Sequence, residues 1–110
     1  MTPPKRIRLG HRSYRVQWDQ PLDEDEWGRT NYNPVASIDM SRECPNEEQP
    51  AVLLHEIVHL IFHHFDIPEN PTEEQVASGL ERGISEVFAR NPKVLAYLTE
   101  EFSKNDNEEE

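Results

Sequence analysis

Apolar residues follow two different spacings along the chain, and the change between them divides it. From Lys5 to Leu9 they alternate, placing Ile7 and Leu9 on one face. Gly10-His11 suits a tight turn. Alternation then resumes from Ser13 to Trp18 through Tyr14, Val16 and Trp18. Period two marks strands, so this stretch predicts a β-hairpin with one wet, basic face. Val35 to Met40 alternates again, with Ile38 and Met40 facing one way, and predicts a third strand. Residues 19–34 carry Pro21, the acidic run Asp23-Glu24-Asp25-Glu26, Gly28, Asn33 and Pro34. They read as a long polar loop with Trp27 and Tyr32 as its anchors.

Beyond Pro50 the spacing becomes helical. Pro50 fits a first turn, where its missing N–H costs nothing. Val52, Leu53, Leu54, Ile57, Val58, Leu60, Ile61 and Phe62 nearly surround a helix over 50–65, which predicts a buried, central element. Thr72 and Gln75 form a capping-box pattern ahead of a second helix through Val76, Leu80, Ile84, Val87 and Phe88. It stops near Asn91-Pro92, because proline disfavours helix in the residue before it. Lys93 to Phe102 predicts a third, short helix, and 103–110 an acidic, disordered tail. Strands first and helices after predict an α+β domain over residues 1–102, with a small antiparallel sheet of about three strands.

Charge narrows the partners. The net charge is −11, which speaks against an extended nucleic-acid surface. Residues 1–18 hold Lys5, Arg6, Arg8, Arg12 and Arg15 and no acid, so a basic ribbon sits in an acidic protein. It is expected to be a solvated strand face. Cys44 is the single cysteine, so no internal disulfide can form. No apolar run is long enough for a membrane span or signal peptide, and the expected compartment is the cytoplasm.

One stretch carries chemistry. His55-Glu56-Ile57-Val58-His59 is an HExxH pattern. Residues four apart share a helix face, so both imidazoles can reach one metal ion. Glu56 is rotated about 100° from His55, beside the metal and able to act as a base. On a nearly all-apolar helix these are the only central polar groups, and buried polar groups need partners. A catalytic zinc usually has three protein ligands. His63 is one turn too far along, since His55 to His63 spans about 12 Å of axis. It is expected to play a structural part. His64 points away and is expected to face solvent. His11 sits in the hairpin turn. Glu73 and Glu74, in the first turn of the second helix, can fold back toward the pair. Periodicity favours Glu73, which heads the stripe Val76, Leu80, Ile84 and Val87.

Leu54-His55-Glu56-Ile57-Val58-His59, Glu74-Gln75-Val76-Ala77 and Asn91-Pro92 together resemble the ImmA/IrrE-type zinc peptidases, in particular their short phage and prophage forms. The resemblance covers about residues 5–100. Glu81 and Ser78 depart from the small residue and the Asn or Asp that the family often carries there. The resemblance implies a minimal zincin-like fold, Zn²⁺ on His55, His59 and Glu74, with Glu73 the alternate, and Glu56 as general base. It implies hydrolysis of a protein or peptide bond, with the substrate paired along strand Val35–Met40. The alternative is a catalytically silent zinc-binding regulatory protein of phage or prophage origin.

Overall fold

A computed structural model describes residues 2–109, with side chains over 2–104. Four strands precede three helices: β1 (Arg6–Leu9), β2 (Arg12–Gln20), β3 (Gly28–Asn31), β4 (Ser37–Ser41), α1 (Gln49–His64), α2 (Glu73–Arg90) and α3 (Pro92–Glu109). The α+β class expected from the sequence is present. The sheet is mixed, not antiparallel, in the order β1-β2-β4-β3. β4 inserts between β2, to which it runs parallel, and β3, to which it runs antiparallel.

The extra strand lay hidden in the polar loop. Gly28, Arg29, Thr30 and Asn31 hold no apolar residue, so β3 carries no alternation to read. Its order comes from main-chain pairing with β4 and from polar side chains. The Arg29 guanidinium bonds Glu26, and Asn31 Nδ2 donates to Asp39 Oδ2 at 2.8 Å. β4 therefore has neighbours on both sides. Val35–Met40 cannot accept an added peptide strand, and β3 is the edge that remains open on this side of the sheet.

One face of the sheet is apolar. Ile7, Leu9, Tyr14, Val16, Ile38 and Met40 are buried there against Leu53, Ile57, Leu60 and Ile61 of α1, Val87 of α2 and Val94, Tyr97 and Leu98 of α3. On the other face Arg6, Arg8 and Arg15 are exposed, so the basic ribbon is a solvated face as expected. Trp18 belongs to the inner layer, edge-on to Tyr97, with its indole N–H on the Pro4 carbonyl. Trp27 and Tyr32 do not anchor their loop in the core: each is 42% exposed. α3 continues past Phe102, the expected end, through 103–109 where a tail was expected; Lys104 pairs there with Glu100 and Glu101. Glu110 lies outside the described residues. Among them no helix is long and apolar enough to cross a membrane.

The Asn91-Pro92 pair closes the other edge. Asn91 is buried and uses its amide as a strand would. Its Oδ1 accepts from Arg8 N–H at 2.7 Å, and its Nδ2 donates to Arg8 O at 2.9 Å. Glu86 and Arg90 hold the N–H and carbonyl of Gly10 in the same way. The end of α2 is thus clamped onto β1 and its turn. Asn91→Ala leaves the Arg8 main chain without these partners and is expected to cost about 1–2 kcal/mol, read as a lower urea midpoint with unchanged slope.

Candidate functional site

α1 is amphipathic, and this changes the expected environment of the HExxH residues. Leu53, Glu56, Ile57, Leu60 and Ile61 are buried, while Leu54, His55 and His59 are exposed. The sheet and two helices cover one side of α1 and leave the histidine stripe open. The pair is therefore not forced to find a partner by burial, and a metal is not required on that ground.

The geometry of the pair does fit a metal. His55 Nε2 and His59 Nε2 lie 3.2 Å apart, with ring centroids at 4.8 Å. Two nitrogens on a tetrahedral zinc with ordinary zinc–nitrogen bonds are about 3.3–3.4 Å apart. The same-face placement expected of positions four apart is what brings both nitrogens to one point.

Glu56 faces inward between α1 and β3 and is 7% exposed. Its Oε1 accepts from the Thr30 hydroxyl at 2.8 Å, and the same hydroxyl lies 3.2 Å from the Glu56 carbonyl oxygen. Gly28 makes this approach possible. A Cβ there would stand 2.7 Å from Val52 Cγ1 and 3.1 Å from Glu56 Cγ. Thr30 and Gly28 were missed in the sequence because their part depends on β3 lying along α1, which no local pattern encodes. Next along that strand, burial and then the negative charge of Glu56 raise the pKa of Tyr32.

The third ligand is not assembled. Neither Glu73 nor Glu74 lies within 4.8 Å of both imidazole ligand atoms, and neither does Glu56. Glu74 is exposed, accepts from the Ser78 hydroxyl at 3.3 Å, and lines a cleft with Phe65, Ile67 and Arg82 beyond the end of α1. The turn through Pro68 and Pro71 places the start of α2 beside the C-terminal end of α1, away from His55. Among the described residues the only metal-competent trio is Asp23, Asp25 and Glu26. Arg29 already neutralises part of it, bonding Glu26 and lying 3.4 Å from Asp23.

His63 and His64 have separate surroundings. His63 packs against the Tyr32 ring at 4.8 Å. His64 does not face solvent. It is half-buried, with Nδ1 bonded to the Tyr14 hydroxyl and its ring edge-on to Tyr14. Burial lowers its pKa, Glu86 opposes that, and His11, Arg12 and His63 add to it. The unfolded chain takes up this proton near pH ~6.5, above the folded value. The unfolded state then binds more protons, so stability falls as the pH drops through that window. Urea midpoints are expected to decline from pH 7.5 to 5.5, and His64→Gln is expected to flatten the decline.

Compared with known proteins, the chain matches no family model, no curated protein and no solved structure.

Proposed function

We propose that this protein is a zinc-dependent peptidase acting on an extended segment of protein or peptide. The observation that carries the reading is the convergence of His55 Nε2 and His59 Nε2 at 3.2 Å beside the buried carboxylate of Glu56. His55 and His59 would hold the ion, leaving positions open for water and substrate. When bound, zinc lowers the pKa of a coordinated water toward ~7 and polarises a carbonyl. Glu56 takes the proton of the attacking water and returns it to the leaving amine. Thr30 holds that carboxylate in place. The open edge of β3 pairs with the substrate main chain, the task first assigned to Val35–Met40.

Glu74 remains the proposed third protein ligand, on the strength of the resemblance. Its position away from the pair favours a second reading, a zinc-binding regulatory protein without hydrolysis. Metal content separates these from a chance motif. Protein purified without added zinc is expected to carry close to one equivalent, lost in His55→Ala/His59→Ala. Absence of metal sinks both zinc readings. Glu74→Ala weakens zinc affinity if Glu74 ligates, and Glu73→Ala does not. Hydrolysis by the wild type that Glu56→Gln abolishes identifies the peptidase.

A further inference from the structure

The exposed stripe of α1 continues past His59. His63 follows one turn later, about 6 Å along the axis. There α1 and the end of β3 open into a cleft of about 360 Å³. His11 from the hairpin turn, Arg12 at the start of β2, His63 from α1 and Tyr32 just past β3 line it. Among the described residues no ion pair joins Arg12 to a carboxylate, and Arg12, His11 and His63 are all exposed. His64 lies in the wall, tied to Tyr14. Asp66 is the one acid lining this cleft. Against it stand one fixed cation and two exposed imidazoles.

The other end of the α1–β3 seam has the opposite character. Asp25, Glu26 and the exposed Trp27 line a second cleft there with His55 and Glu56. The two clefts differ in charge, with carboxylates in one, the Arg12 and histidine cluster in the other, and the exposed His55–His59 stripe of α1 between them.

We infer that the cleft formed by His11, Arg12, Tyr32 and His63 is a carboxylate subsite for a peptide running along the open edge of β3 and over the exposed stripe of α1. The assignment rests on the peptidase reading and adds a substrate class to it. An extended chain advances about 3.3 Å per residue, so the roughly 6 Å from His59 to His63 corresponds to about two residues of peptide beyond His59. The planar guanidinium of Arg12 suits two carboxylate oxygens, and the imidazole N–H and Tyr32 O–H groups supply further donors. No ion pair of Arg12 has to break first. Asp25 repels the same carboxylate at the far end, where Arg29 already pairs with Glu26, and this selects one orientation of the peptide.

The carboxylate can come from an acidic side chain or from a free C-terminus. The test uses the full chain carrying Glu56→Gln, so that peptides stay uncut. It is titrated by NMR with four probes. These are an alanine pentapeptide as the free acid, the same peptide as the amide, and amidated pentapeptides with Glu or with Gln in fourth position. At least one carboxylate form is expected to bind tenfold or more tightly than its neutral counterpart, shifting Arg12, Tyr32 and His63. Which form does so identifies the source. Arg12→Gln and His63→Gln, both surface changes with unchanged melting, are expected to bring binding to the neutral level. Equal binding of charged and neutral peptides, shifts confined to Asp25–Trp27, or no binding at millimolar peptide would each overturn the subsite. Selective binding in a protein that holds no zinc supports the subsite and overturns the peptidase reading alone.

Discussion

Glu56→Gln is expected to reduce hydrolysis by about 10²–10⁴-fold, the usual contribution of a positioned general base. The substitution keeps the shape of the side chain. A glutamine carbonyl oxygen can still accept from Thr30, as Glu56 Oε1 does at 2.8 Å, so the packing between α1 and β3 is retained. What the amide cannot do is take a proton from water. Zinc content and thermal melting should stay at wild-type values while turnover collapses. The measurement is single-turnover cleavage of an unstructured protein substrate, alongside metal analysis of the same sample. Undiminished cleavage would place the base elsewhere. Thr30→Val offers a graded companion, because it removes the donor and leaves the carboxylate. Its rate should fall between those of the wild type and Glu56→Gln.

Gly83→Val is expected to destabilise the fold by about 2–3 kcal/mol, the upper part of the range for overpacking a filled core. For a domain of this size that lowers Tm by roughly 10 °C. Glycine inside a helix costs about 1 kcal/mol relative to alanine, so Gly79 and Gly83 weaken α2 considered alone. They are tolerated because α2 crosses its neighbours there at very short range. A Cβ on Gly83 would stand 2.4 Å from Ile61 Cγ2, and one on Gly79 would stand 2.3 Å from Ile67 Cδ1. Ile61 is 1% exposed and has no room to yield. Valine gains little helix propensity to offset the collision. Ile61→Ala combined with Gly83→Val should cost less than the sum of the two single losses in a denaturation series. A double mutant at least as unstable as the sum of the singles would show that the collision lies elsewhere.

Local chemistry accounts for what was legible in the chain. The β1–β2 hairpin, the helix positions and the Thr72–Gln75 capping box, in which each side chain bonds the other's backbone N–H, follow from residues close in sequence. The meeting of His55 and His59 is of the same kind, because helical spacing alone brings positions four apart together. Other features depend on partners far along the chain. β3 has no apolar alternation and exists through pairing with β4. Insertion of β4 between β2 and β3 turned an expected edge into an interior strand. The exposure of the histidine stripe was decided by which side of α1 the sheet covers, and eight apolar residues around the helix could not reveal that. Asn91 read as a helix stop and as half of an Asn-Pro motif, yet its side chain closes the β1 edge across 83 residues of sequence. Helical spacing alone sets the two imidazoles and the glutamate beside them, since their placement needs one helix. Whether a third ligand joins them, which strand stays open beside them and what lines the flanking clefts follow from tertiary packing, because each depends on how separate elements meet.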